Sequence, residues 1–265
     1  MKNKNYKILF FIASILSSSA MSAQYYRVYG WETLRRGWME VMVWNKTIAE
    51  SDLSFERNGN EYSRQGLFLH SAEIEYGITD KFTVGMYGDF RDSPDVSLSY
   101  YRFRAVARYS LFSKYKRFFN SALYLEYYQP SKEVEEASEL EMRFILQKDL
   151  GDFRINLNPA ISKDISGEEV KDGLNGNFFG GIYWRRHYTI QLGAEYYGRH
   201  GELRDLAPSE EQEHVVFAVA DLKFFKGFNW QLGAGTGLNA GSDDLILKSI
   251  ITYEFNTLRP FRQSR

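Results

Sequence analysis

Tyr101-Arg102-Phe103-Arg104-Ala105-Val106-Ala107-Arg108-Tyr109 is the stretch that decides the fold. Side chains at i and i+2 of a strand share one face. On that spacing Arg102, Arg104 and Arg108 fall on one side, and Tyr101, Phe103, Ala105, Ala107 and Tyr109 on the other. A strand so divided carries three guanidinium groups on one face and an apolar surface on the other.

The same sorting recurs in both directions along the chain. Glu73 and Glu75 oppose Ala72, Ile74 and Tyr76; Glu139, Glu141 and Arg143 oppose Leu140, Met142, Phe144 and Leu146. Arg154 opposes Phe153, Ile155 and Leu157, and Glu195 opposes Ile190, Leu192 and Ala194. Asp221 and Lys223 oppose Val216, Ala218, Ala220 and Leu222, while Lys248 and Glu254 oppose Leu247, Ile251, Tyr253 and Phe255. A Lys or Arg facing lipid near the bilayer midplane costs about 2–4 kcal/mol. Three or four such errors would rival the roughly 5–15 kcal/mol by which a typical domain is stable. The charged face therefore predicts a lumen, and the apolar face a lipid contact.

Twelve strands follow from the period of two and its Gly-, Asp- and Asn-bearing breaks. They are expected near 37–48, 66–78, 82–91, 98–111, 117–129, 138–150, 153–162, 175–185, 188–199, 213–225, 228–239 and 245–256. Their connections alternate in length. Tight turns fall at Thr79-Asp80-Lys81, around Lys114, at Gly151-Asp152, at Arg186-His187 and at Lys226-Gly227. Longer loops run over 50–64, 92–96, 130–137, 163–174, 200–212 and 241–244. Short periplasmic turns alternating with long external loops are the habit of outer-membrane barrels. A soluble antiparallel sheet would show the same in-and-out alternation. It does not need strands of ten to fourteen residues, nor aromatics gathered beside the short turns, such as Tyr109 and Phe118, Tyr183 and Tyr188, Phe224 and Phe228. The predicted fold is an all-β, antiparallel up-and-down transmembrane barrel.

The N-terminus supplies an export route. Lys2, Lys4 and Lys7 precede an apolar run from Ile8 to Leu16 and a small-residue segment from Ser17 to Ala23, the form of a cleaved secretory signal. That run is about nine residues, where a spanning helix needs roughly twenty. The expected organisation is a signal over 1–23, a periplasmic segment over 24–36, the barrel over 37–256 and a basic tail over 257–265. Whether residues 24–36 enter the barrel is not legible. A cysteine count of zero excludes disulfides. Hydrophobic residues at 44% and aromatics at 17% exclude a disordered chain. A net charge of -1 gives no sign of a nucleic-acid partner.

Glu73-Ile74-Glu75-Tyr76-Gly77-Ile78-Thr79-Asp80-Lys81-Phe82-Thr83-Val84-Gly85 resembles the strand–turn–strand unit of putative transporter barrels, including those of the phenol meta pathway. Tyr253-Glu254-Phe255 resembles the aromatic-ended closing strand that barrel-assembly machinery reads, although ten residues follow it, Asn256 to Arg265. The resemblance implies an outer-membrane barrel, in contact with lipid and lipopolysaccharide, that transports a small solute.

Parity assigns Glu40, Glu73, Glu75, Arg102, Arg104, Arg108, Glu126, Glu139, Glu141, Arg143, Arg154, Glu195, Asp221, Lys223, Lys248 and Glu254 to the lumen. Eight strands fill with side chains and sixteen leave a channel; twelve lies between. A nearly balanced charge set predicts a narrow polar pore with weak ion selectivity. Its rival is a salt-bridged, closed scaffold. The long loops are acidic, with Glu133, Glu135 and Glu136, Glu168 and Glu169, Glu210, Glu211 and Glu213, then Asp243 and Asp244. The short turns and tail are basic, with Lys114, Lys116, Arg117, Arg185, Arg186, Lys226 and Arg259 among them. No EF-hand-like spacing appears, so neither metal nor cofactor is expected. A lipid-modifying enzyme is the third reading, resting on His70 and His214 at the lipid-facing parity below the long loops. It lacks a Gly-x-Ser-x-Gly element.

Overall fold

The computed structural model describes residues 26–57, 59–112, 118–134 and 137–258. The proposed signal, Arg259 and the rest of the tail, Lys114, Lys116, Arg117, Glu135 and Glu136 lie outside the described residues.

Twelve strands close on themselves: β1 (Trp38–Glu50), β4 (Phe68–Thr79), β5 (Phe82–Ser93), β6 (Val96–Phe112), β7 (Asn120–Pro130), β8 (Glu139–Leu150), β9 (Phe153–Asp164), β10 (Asn175–Trp184), β11 (Ile190–Glu202), β12 (Glu213–Leu222), β13 (Phe228–Gly237) and β14 (Leu245–Asn256). Each pairs antiparallel with its sequence neighbours, and β1 closes the ring on β14 from Trp38↔Asn256 to Ile48↔Ile246. Closure leaves no sheet edge, which is the condition for strands to cross hydrocarbon. Tight turns demand special backbone. Gly151 adopts φ 57 between the paired Leu150 and Phe153, a conformation other L-residues rarely take.

The outer face is apolar at mid-height, with Val43, Ile74, Met86, Leu125, Met142, Ile182 and Leu247 exposed. Exposed aromatics flank the short turns: Phe118, Tyr188 (75% exposed) and Phe224 (63%). They form the girdle expected at a membrane–water interface.

Several features depart from the sequence expectation, four of them in the wall and its connections. The first long loop carries a small hairpin of its own, β2 (Ser54–Arg57) and β3 (Asn60–Ser63). The loop expected over 92–96 is a tight turn, because Ser93 pairs with Val96 and only two residues connect them. Tyr183 does not join the girdle; it is 6% exposed and faces inward.

Tyr101 is the fourth. In the β5–β6 register, Asp89↔Arg102 is followed by Phe90↔Tyr100, so Tyr101 is the extra residue of a β-bulge. A bulge re-aims the side chains around it. Tyr101 and Arg102 are therefore both buried in the lumen, while Leu98 and Tyr100 face outward. The parity drawn from Arg102 holds only C-terminal to the bulge.

Residues 26–36 form no strand of the sheet. Tyr26 to Leu34 pass through the interior, and this corrects the expectation of a periplasmic segment over those residues. Tyr26 meets Glu213 and Phe217 toward the long-loop end. Tyr29 reaches Asn158 and Tyr124 midway. The Leu34 amide then donates to Thr83 Oγ1 at 2.9 Å, beside the short turns. The chain leaves the barrel where the Gly37 amide donates to the Gly77 carbonyl at 2.9 Å. A Cβ on Gly77 would lie 2.2 Å from the Arg35 carbonyl oxygen, so glycine there permits the close approach.

Candidate functional site

The lumen is organised around the N-terminal segment, which divides it into two unlike halves. On the β4–β8 side the charges form a ladder of alternating sign. Arg102 Nε lies 2.7 Å from Asp89 Oδ2, and Arg104 donates to Asp89 Oδ1 at 3.1 Å and to Glu126 Oε1 at 2.8 Å. Arg143 then bridges Glu126 Oε2 at 3.6 Å and Glu141. Arg108 pairs with Glu75 at 3.0 Å and also donates to the Glu32 carbonyl at 3.0 Å. All of these side chains are buried. Aromatic rings separate the rungs. The Arg104 guanidinium lies 3.8 Å from the Tyr87 ring centroid, and Arg143 lies 4.7 Å from that of Phe179. Such contacts suit a desolvated guanidinium, which is weakly hydrated and planar. A buried pair adds little net stability, yet losing one partner strands the other charge in a low-dielectric interior.

Asp89 is the member that the alternation argument missed. Asp89 is absent from the lumen set drawn from parity, yet it holds two of the three arginines quoted first, Arg102 and Arg104. Its signal was its parity with Thr83, Tyr87 and Arg91, all of them buried.

The N-terminal segment is tied to both halves. Arg27 donates to Met42 Sδ at 2.8 Å and lies 5.1 Å from the ring centroids of both Tyr29 and Trp44. Among the carboxylates, Glu40 and Glu73 act most strongly on its charge. Glu40 stands between Glu75 and Glu254 in the register, so three acids share one level across β4, β1 and β14. Trp44 Nε1 donates to Glu73 Oε2 at 2.8 Å. On the other side Lys248 pairs with Glu195 and donates to the Tyr26 carbonyl at 3.0 Å. Glu195 also accepts the hydroxyls of Tyr183 at 2.8 Å and Tyr197 at 2.6 Å. Lys46 Nζ, buried opposite Lys248, faces the Tyr26 ring at 4.7 Å.

The remaining predicted lumen residues lie toward the two ends. Glu139 begins β8 at the long-loop end, half-buried. Arg154 is half-buried near the short turns, 2.9 Å from Asp149 and 3.3 Å from Glu32. Asp221 accepts from Gln231 Nε2 at 3.1 Å. Lys223 is not on a strand; it follows Leu222, the last residue of β12, and lies half-buried at the short-turn end. Two acids assigned to the solvated loops are buried instead. Asp243 holds Arg64 at 2.6 Å and the Ser51 hydroxyl at 2.7 Å, and Glu213 accepts from Tyr26. Burial works against the Arg64 charge, and Asp243 more than offsets it, raising the arginine above its ordinary value.

A cavity of about 210 Å³ remains between the segment and β9–β14. Its lining includes Arg27, Glu32, Asn156, Asp221, Asn229 and Gln231, and Arg185 and Lys223 line it at the short-turn end.

The two histidines of the enzyme reading have other partners. His70 shares a 2.7 Å hydrogen bond with Asn45 and stacks on Phe68, while His214 meets the Tyr196 hydroxyl at 2.6 Å and Gln212 at 3.0 Å.

Among solved structures, an outer-membrane channel from Pseudomonas putida F1 superposes with a TM-score of 0.60 over 87% of this chain and 100% of its own, at 14% identity. The fold is that of outer-membrane channels. The KdgM porin superposes at 0.56, covering 82% of this chain and 99% of its own with 10% identity. The NanC porin does so at 0.52, over 82% and 98%, also at 10%. No family model and no curated protein matches the chain.

Proposed function

We propose that this protein is a passive outer-membrane channel for small hydrophilic solutes, narrowed by its own N-terminal segment. The observation that carries the reading is the polar cavity beside that segment, inside a twelve-stranded wall of channel type. Polar lining supports a hydrophilic solute. In this reading the signal over 1–23 exports the chain, and the apolar belt contacts lipid and lipopolysaccharide. Tyr253 and Phe255, stacked with centroids 5.8 Å apart near the end of β14, serve recognition by barrel-assembly machinery.

The test is single-channel recording from the refolded full chain. Discrete openings support the channel, and a bilayer silent at every voltage overturns it. The second reading, a closed scaffold, is favoured by the ladder from Arg102 to Glu141, which leaves the β5–β8 side filled with paired charge. Silence would favour that reading. A lipid-modifying role for His70 and His214 would require hydrolysis of a lipid ester that both His→Ala substitutions abolish.

A further inference from the structure

The cavity has an uneven chemistry. Of its ionised lining groups, four are cations (Arg27, Arg154, Arg185, Lys223) and two are anions (Glu32, Asp221). Arg27 looks toward β1, and Arg154 is already engaged by Asp149 and Glu32. The other two cations are loosely held. Arg185 reaches Asp149 only at 3.7 Å, and its Nε has no hydrogen-bond partner. Lys223 has no ion pair among the described residues; its contact is the Tyr188 ring at 5.8 Å.

Deeper in, the bias is toward acceptors. Asn229 and Gln231 spend their amide N–H groups on Asp221, at 3.4 and 3.1 Å. That orientation leaves Asn229 Oδ1 and Gln231 Oε1 without donors, and Asn156 Oδ1, on a side chain only 4% exposed, is in the same state. Buried acceptors left without donors cost free energy. A molecule that donates hydroxyl hydrogens in the interior and presents negative charge at the short-turn end meets both demands. The two weakly paired cations, Arg185 and Lys223, favour a monoanion over a zwitterion. The volume holds one small organic molecule or several waters.

We propose that this cavity is a binding site for a small hydroxylated organic anion, with its carboxylate at Lys223 and Arg185 and its hydroxyls on Asn156, Asn229 and Gln231. The proposal rests on the channel reading and deepens it by naming the solute class, since the site lies beside the N-terminal segment.

The experiment is calorimetric titration of the full chain in detergent with D-gluconate, with neutral sorbitol and zwitterionic glycine as comparisons. Gluconate binds at least about tenfold more tightly than either, because it alone brings both a net negative charge for the cations and hydroxyls for the acceptors. Lys223→Gln and Arg185→Gln, each near a surface turn, weaken gluconate by a similar factor and leave sorbitol unchanged. Sorbitol or glycine matching gluconate, no gluconate heat, or variants that bind like the parent would overturn the site. Conductance of the same preparation separates the two claims. A conducting barrel without gluconate binding sinks the site alone; gluconate binding to a silent barrel supports the site and sinks the channel.

Discussion

The Asn158 side chain holds both main-chain polar groups of Tyr29: its Oδ1 accepts the Tyr29 amide at 2.7 Å, and its Nδ2 donates to the Tyr29 carbonyl at 3.1 Å. An irregular segment inside a barrel has no ladder partner, and buried backbone groups must still be satisfied. One amide from β9 therefore does for Tyr29 what a neighbouring strand would do.

Replacing that amide should loosen the segment. Asn158→Leu leaves an amide and a carbonyl unsatisfied and weakens docking by about 2–4 kcal/mol. The expected outcome is faster proteolytic cleavage within 26–34 and larger or more frequent openings in single-channel records. Unchanged cleavage and unchanged openings would show that the contacts of the Tyr29 side chain, its stacking on Tyr124 among them, suffice to hold the segment.

The acidic member of the ladder matters more than a surface acid. Asp89→Asn removes the charge facing both Arg102 and Arg104 and destabilises the barrel by about 3–5 kcal/mol, the cost of a broken buried pair. Asp149→Asn breaks the partly exposed Arg154 pair and costs about 1 kcal/mol or less. Denaturant unfolding in detergent, followed by the folded-to-unfolded shift in gel mobility, measures the difference.

Spin labels placed singly at 98–105 should show the bulge directly. Collision with oxygen, which concentrates in lipid, should be high at 98 and 100, low at 101 and 102, and high again at 103 and 105. Strict alternation through 101 would remove the bulge from the β5–β6 pair.

Gluconate binding should fade on the alkaline side earlier than an ordinary lysine titrates. Burial pushes the Lys223 ammonium down, Arg154 and Arg185 push the same way, and Asp221 and Glu32 oppose them. Because the folded value is lowered, the empty protein gains stability as pH rises from that value toward the unfolded one of about 10.4. Binding runs in the opposite sense, since it needs the charged form, and is lost as pH rises through the lowered value. Titrations at a series of pH values check this, and Lys223→Gln should flatten the profile.

Much of the wall was legible because its signal is local. The alternation around Arg104, Glu141 and Lys248 needs only the two-residue period of a strand and the cost of charge in lipid. Tyr101 and Tyr183 escaped that logic for different reasons. Tyr101 obeys a bulge that exists only in the pairing of β5 with β6. Tyr183, an aromatic near a short turn, has the composition of a girdle residue but sends its hydroxyl to Glu195 inside.

Sequence alone determined that this chain builds strands with one face for hydrocarbon and one for charge, about where each turns, and that the ring closes near Phe255. Tertiary structure decided what fills the ring. Tyr26 finds Glu213, 187 positions away, and its carbonyl finds Lys248, 222 positions away. Such partners share no period or spacing; they meet because closure and strand register bring them to one height. The occupied lumen, the ladder through Asp89 and the cation-rimmed cavity follow from that meeting.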